Sequence, residues 1–333
     1  MGVFPRGRAL PVAVAIAGAV VGSAVAFAAG AAAQATVITG GGVSPTNPVP
    51  LTGSKNDRIV NGGEVADDDW VGDHFIVKLL RVTGRTSDGF LVSFVCGGVL
   101  FRPNRVITAA HCVNRPGGVV AGDFVEVGGL ALQTGVTVRI GAVVTHPDWD
   151  PEARVPAADI AVLQLVNAPT TAVYNTVRAR KAGINRQVDS PAEGDLLTIA
   201  GWGRTTGVGE APVVGRIRQA TVTALDWATC AARSAALGVP MPANQGDTTM
   251  CVTGEPTNSS ACKGDSGGPV FVRTRSPTGR QTVKVVGISS FVLGTRGDVC
   301  PAGGLNFFAR VSTLAGWIDS QMEPGWKGWV LAP

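Results

Sequence analysis

An all-β fold is predicted by two features of this sequence: short β-prone runs recur along it, and Gly, Pro, Asn or Asp separates nearly every pair of them, the pattern of a sandwich or barrel. A third feature sets the scale. Of 333 residues, 45 are Gly, 45% are hydrophobic and only 16% are charged, which suits a folded chain with many turns rather than a disordered one. The length fits one large or two small domains.

In the first half the runs are 75–82, 90–95, 106–108, 124–127 and 137–145; the second half repeats the habit at 196–200, 217–223, 270–273, 283–289 and 307–311. Residues 312–321 read as a short closing helix, and no internal repeat is evident. Residues 1–35 carry Arg6 and Arg8, then a long Ala/Val/Gly-rich run, then Ala33-Gln34-Ala35. This is the pattern of a secretory signal with a small-residue cleavage site, and it implies a secreted protein. The competing reading is an uncleaved anchor, because the run approaches spanning length; weakly hydrophobic Ala and Gly favour cleavage. Gly7 separates Arg6 from Arg8, so there is no twin-arginine pair. Residues 36–58, rich in Gly, Pro, Ser, Thr and Asn, lack apolar periodicity and read as a solvated segment unable to form a core.

The formal charge of +4 comes largely from this leader. Without the four bases and one acid of the first 58 residues, 24 bases face 23 acids, which argues against nucleic acid or membrane as the main partner.

The chemistry centres on Cys262-Lys263-Gly264-Asp265-Ser266-Gly267-Gly268-Pro269, which reads as a nucleophile turn. A serine hydroxyl is a poor nucleophile, so it needs a base within hydrogen-bond reach and N–H donors facing the oxyanion that its attack creates. The glycines let the backbone bend around Ser266, so that the N–H groups of Gly264 and Ser266 point into one hole. Three histidines exist. His111, delivered at the end of Val106-Ile107-Thr108-Ala109-Ala110, is the best candidate base. A buried carboxylate must then orient the imidazole, and Asp159 fits, as one acid at the head of the apolar run 160–165. Each residue alone has a bland reading: a structural serine in a Gly-rich turn, a satisfied core histidine. Their joint occurrence favours catalysis.

At these residues the chain resembles the trypsin/chymotrypsin family of serine proteases. Residues 108–112, 159–165 and 264–269 look like its three signature blocks, in the order His, Asp, Ser. The resemblance runs from Ile59 to about Ile318. It narrows the fold to two packed, antiparallel, six-stranded β-barrels, the first supplying His111 and Asp159 and the second Ser266. It implies a serine endopeptidase made as a zymogen, with a protease domain over 59–322, a propeptide over 36–58 and a tail over 323–333. Asp57-Arg58 followed by Ile59-Val60-Asn61-Gly62-Gly63 resembles the activation junction. Cutting after Arg58 frees an ammonium at Ile59, which in the family folds inward to pair with the acid before the nucleophile, here Asp265. The bland alternative is an exposed linker that proteases nick.

Six cysteines beside a secretion signal suggest three disulfides, with fifteen pairings open to sequence alone. The resemblance selects Cys96 with Cys112, Cys230 with Cys251 and Cys262 with Cys300. A metal site lacks Cys-x-x-Cys spacing. The family's calcium loop has no carboxylate cluster here between Asp123 and Thr137, so neither a metal nor a cofactor is implied. Trp202 resembles a packing position, His146 a structural loop residue, and His74 is left without a role.

Specificity follows from the pocket. Trypsin-like members carry an aspartate six residues before the nucleophile; that position is Ser260, so a buried lysine or arginine would be unpaired. The walls are read from Ala261, from the substrate-pairing strand of Ser290, Phe291 and Val292, and from Asn306. Val292 and Asn306 stand where glycines admit large side chains, which implies a shallow, elastase-like pocket for Ala or Val; a chymotrypsin-like preference for larger apolar residues stays open. Expected partners are protein or peptide substrates, an activating protease and a proteinaceous inhibitor, with no membrane partner after leader removal, and the chain is expected to be a monomer. Two other classes compete: an inactive homologue that binds through the same cleft, and an adhesin using the Trp326 and Trp329 tail.

Overall fold

The computed structural model describes residues 36–39, 59–65, 74–86, 89–131, 133–204, 215–255, 257–275, 281–294 and 300–322. The readings made for the leader 1–35, for Arg58 and for the Trp326 and Trp329 tail lie outside the described residues. In chain order the strands are β1 Thr36–Thr39, β2 Gly63–Glu64, β3 Ile76–Thr86, β4 Gly89–Arg102, β5 Arg105–Thr108, β6 Phe124–Val127, β7 Val136–Thr145, β8 Ala161–Leu165, β9 Gly183–Ile184, β10 Leu196–Gly201, β11 Arg218–Leu225, β12 Thr249–Thr253, β13 Pro269–Arg275, β14 Gln281–Leu293 and β15 Leu305–Arg310. The α-helices are α1 Thr171–Thr176, α2 Trp227–Ala236 and α3 Val311–Ser320.

Six strands in the order β4-β3-β6-β7-β8-β5 close into a ring through the pairing of β4 with β5. Six more, β10-β13-β14-β15-β12-β11, close through β10 with β11, while β2 adds to β11 and β9 to β14. All pairings within the rings are antiparallel. Closure removes open edges, which is why so many short strands are stable together. β7 shows the half-buried alternation, Val138 and Ile140 inside with Arg139 exposed between them. β8, flanked by β5 and β7, buries Ala161, Val162, Leu163 and Leu165.

The barrels share a core. Phe75 packs edge-on against Phe271 with ring centroids 5.2 Å apart, one ring beside each barrel. Helix α3 adds Val311, Leu314, Ala315 and Ile318, spaced to lie on one helical face. Val311, expected at the end of a strand, opens this helix instead.

Beyond β2, β9, β12 and α1, which the sequence reading did not name, two elements differ from it. The helix α2 was not expected; Asp226 caps it by accepting from Thr229 N at 2.6 Å, and Cys230 anchors it. The segment 36–58, read as a solvated segment unable to form a core, contributes β1, which lies antiparallel to β4 with Thr36 opposite Val92 and Thr39 opposite Gly89. Thr-Val-Ile-Thr is β-branched throughout, and an edge strand needs only backbone partners.

Candidate active site

His111 sits in a 3₁₀ turn, Ala110–Cys112, directly after β5. Ala109 and Ala110 are fully buried and anchor the turn, while the imidazole is 17% exposed. Asp159 precedes β8 and is 2% exposed. Its carboxylate grips His111 twice: Oδ2 lies 2.7 Å from Nδ1, and Oδ1 accepts the His111 backbone N–H at 2.8 Å. Ser290 Oγ donates to the same Oδ2 at 2.5 Å. Burial works against ionisation of Asp159, but the neighbouring His111 charge and these hydrogen bonds outweigh it and hold the carboxyl below its ordinary range.

The Ser266 turn packs onto the loop that carries His111. Gly97 N donates to Ser266 O at 2.8 Å, and a disulfide joins the adjacent Cys96 to Cys112, next to His111. Gly267 has φ +76°, and a Cβ there would lie 2.2 Å from Thr108 Oγ1 and 2.4 Å from Gly97 O, so no larger residue fits. Thr108 Oγ1 donates to Gly97 O at 2.8 Å. Thus β4, β5 and the Ser266 turn meet at one point. The half-buried Ser266 hydroxyl makes no hydrogen bond among the described residues, to His111 or otherwise.

Within the turn, the N–H groups of Asp265, Gly267 and Gly268 are taken by Cys262 O, Ser289 O and Asp265 O. Those of Gly264 and Ser266 have no protein acceptor among the described residues, and Gly264 has φ +103°. Asp265 is 3% exposed; its oxygens accept from Gly203 N at 2.7 Å and Cys262 N at 2.9 Å, and no cation among the described residues pairs with it. Burial therefore prevails over these two bonds and pushes its pKa up to about 7.

The sequence model of the family described as Trypsin matches residues 59–318. The chain belongs to the trypsin family. This trypsin-family protein is 30% identical to the serine protease SP24D of Anopheles gambiae, over 69% of this chain and 73% of that one. It is 30% identical to chymotrypsin-like elastase family member 1 of Macaca fascicularis, over 79% and 89%. A trypsin of Simulium vittatum is 31% identical over 76% and 89%. Among solved structures, neuropsin, a serine protease expressed in the limbic system of mouse brain, superposes with a TM-score of 0.60 at 20% identity, covering 80% of this chain and all of that one, a likeness of fold. The protein is a serine endopeptidase, and its substrates are proteins or peptides.

Around the Ser266 turn of this protease, Ser260 is fully buried and donates to Asn306 Oδ1 at 3.0 Å or Ala261 O at 2.9 Å. Asn306 Oδ1 also accepts Ala261 N at 2.7 Å, and its Nδ2 donates to Gly304 O at 2.9 Å. Val292 is opposite Asn306 across β14 and β15. Phe291 turns the other way and stacks on Phe307, centroids 4.5 Å apart. The hydroxyl of Ser290, read in sequence only as part of a substrate-pairing strand, is thus also a partner of Asp159. A β-bulge between Ser289 and Phe291 accompanies that position, and nothing in the local sequence announces it.

Cys230 with Cys251 and Cys262 with Cys300 are the other two disulfides, with Cα separations of 6.2 and 5.0 Å, and they fit an oxidising compartment. Among the described residues, Cys96, His111 and Cys112 form the one group with three clustered metal-ligand atoms, and both sulfurs are spent in a disulfide. Trp202 is buried, donating from Nε1 to Leu130 O at 2.9 Å. His146 packs against Trp317 with the rings tilted by 60°, 4.9 Å between centroids. His74 is buried with Nδ1 3.3 Å from Val177 O, and burial lowers its pKa to about 4.

Proposed function

We propose that the protein is a secreted zymogen whose matured form cleaves peptide bonds through Ser266, His111 and Asp159, after small or medium apolar residues. The observation that carries this reading is the double grip of Asp159 on His111 beside a Ser266 turn fastened to Gly97 of β4, the strand that Cys96 joins to Cys112. His111 Nε2 takes the Ser266 proton as the oxygen attacks the scissile carbonyl. The imidazolium formed is stabilised by Asp159, and it then protonates the leaving amine. The unclaimed N–H groups of Gly264 and Ser266 receive the oxyanion, and water hydrolyses the acyl-enzyme by the reverse sequence.

Activation is cleavage after Arg58. Ile59 is fully buried, and Val60 pairs with Ser260, N to O at 3.0 Å, so residue 59 lies beside the segment that leads to Asp265. Ile59 is held at φ +47°, a region that β-branched residues avoid, and a cut before it relaxes that constraint. Its new ammonium supplies the cation that Asp265 lacks. Specificity follows from Ser260 and Asn306, a hydrogen-bonded neutral pair that offers no acid to balance arginine or lysine, while Val292 narrows the wall. An activating protease and a proteinaceous inhibitor complete the expected partners.

The test is hydrolysis by the matured enzyme of a peptide library varied at the residue before the cut, beside Ser266→Ala. The wild type is expected to prefer Ala and Val, and the variant to lose about six orders of magnitude in kcat. Turnover retained by Ser266→Ala refutes the mechanism, and a dominant preference for arginine refutes the pocket.

A further inference from the structure

A lysine with no exposure to solvent stands on the face of the first barrel that packs against Trp202. Lys78, on β3, and Glu126, on β6, are 0% and 1% exposed, with Nζ 3.0 Å from Oε1. Isolated charges are too costly to bury in this way unless every lone pair and proton is used, and here they nearly are. Nζ also donates to Gly128 O at 3.3 Å and Gly129 O at 3.4 Å, and lies 4.6 Å from the centre of the Trp202 ring. Glu126 in turn accepts the backbone N–H groups of Gln133, Thr134 and Gly135, each at 3.0 Å. One ion pair therefore closes the loop between β6 and β7 from both ends.

That loop reaches the second barrel. Leu130 O, at its tip, accepts from Trp202 Nε1 at 2.9 Å and from Ile217 N at 2.8 Å. Gly201 and Gly203, on either side of Trp202, press against the Asp265 carboxylate so closely that a Cβ at either would lie within 2.3 Å of one of its oxygens. Gly203 N holds Asp265 Oδ1 at 2.7 Å, and Ser266 follows. The contacts form an unbroken series from the Lys78 ammonium to the nucleophile turn.

We infer that Lys78 is a positioning residue for the reaction: its ammonium fixes the 126–135 loop and Trp202, and through them the seat of Asp265 that shapes the Ser266 turn. This rests on the reading of Ser266 as nucleophile. It gives the Lys78–Glu126 pair a task beyond stability, because a purely structural pair would change the melting temperature and leave each folded molecule as fast as before.

The experiment compares matured wild type, Lys78→Met and Lys78→Met/Glu126→Gln on a peptide anilide with alanine before the cut, with active sites titrated by a fluorophosphonate. Lys78→Met leaves a buried carboxylate unpaired, and kcat per titrated site is expected to fall about tenfold with KM changed less than about twofold. The double variant removes that charge while its amide still reaches the loop, so part of the loss is recovered, to about threefold below wild type. Wild-type kcat per titrated site in Lys78→Met overturns the proposal. Should that chain not fold, the double variant decides by the same criterion. Failure of the nucleophile reading would show elsewhere, as hydrolysis by Ser266→Ala with Lys78 intact.

Discussion

Asp159 and Asp265 are both buried, at 2% and 3% exposure, yet their surroundings drive them in opposite directions. Burial of Asp159 is more than offset by the His111 charge and by donors from His111 and Ser290, and its carboxyl is held below the usual range. Burial of Asp265 meets only two backbone N–H groups, and its pKa rises to about 7. The first acid finds its partners by folding alone. The second is held by Gly203 N and Cys262 N, with no cation among the described residues to pair with it. On the proposed reading, the contrast separates the part of the machinery that folding completes from the part that cleavage completes.

The contrast breaks most severely at Asp159. Asp159→Asn removes the charge that stabilises the imidazolium and permits the wrong tautomer, so kcat of the matured enzyme is expected to fall about ten-thousandfold with little change in KM. Steady-state kinetics on titrated enzyme would measure it, and a loss below about tenfold would show that Asp159 does not orient His111.

At Asp265 the expected effect is on stability. An acid with a raised pKa binds its proton more tightly in the folded chain, so its contribution to stability is present below the unfolded value near 4 and fades as pH rises to about 7. Asp159, with a lowered pKa, does the reverse and weakens the fold only as pH falls through its depressed value. For Asp265 the change amounts to about 4 kcal/mol at most. Denaturant titrations of the uncleaved chain at pH 3.5 and 7.5 (~4 pH units apart, bracketing the shift) should show this loss relative to Asp265→Asn, and cleavage after Arg58 should abolish it. Equal pH dependence in the precursor and the Asn variant would mean that Asp265 is already paired.

Much of this organisation was legible in the sequence, for reasons that differ by residue. The all-β class was readable because sandwiches and barrels are built from short strands with turn residues between them, the two barrels only through the family resemblance, and β6 and β7 appear nearly to the residue. His111, Asp159 and Ser266 stood out as single polar residues in apolar or Gly-rich runs. Partners that tertiary structure alone creates were not readable. Ser290 reaches Asp159 across 131 residues, and Asn306 reaches Ala261 across 45, each by a side chain that local pattern leaves unremarked. Lys78 lies in an apolar run where a lysine would be expected to face solvent, and only the pairing of β3 with β6 brings Glu126 beside it. Helix α2 carried a readable signal in its Asp226 cap; β1 carried one in its β-branched run, masked by the polar composition around it.

The smallest expected effect concerns Ser290, and it bears on why Asp159 is so well satisfied. Its hydroxyl donates to Asp159 Oδ2, the same oxygen that faces His111 Nδ1, so it stabilises the charged carboxylate and limits how far that oxygen can move. A hydrogen bond to a charged acceptor contributes about 2 kcal/mol. Ser290→Ala is therefore expected to lower kcat/KM about thirtyfold, far less than Asp159→Asn, because the imidazole keeps its orientation. Losing a donor to the ionised form raises the Asp159 pKa, so the acid limb of the pH–rate profile should move to higher pH. An unmoved limb with a wild-type rate would show that His111 alone suffices to hold Asp159 ionised, and the comparison of the two acids would then rest on the cation and not on the donors.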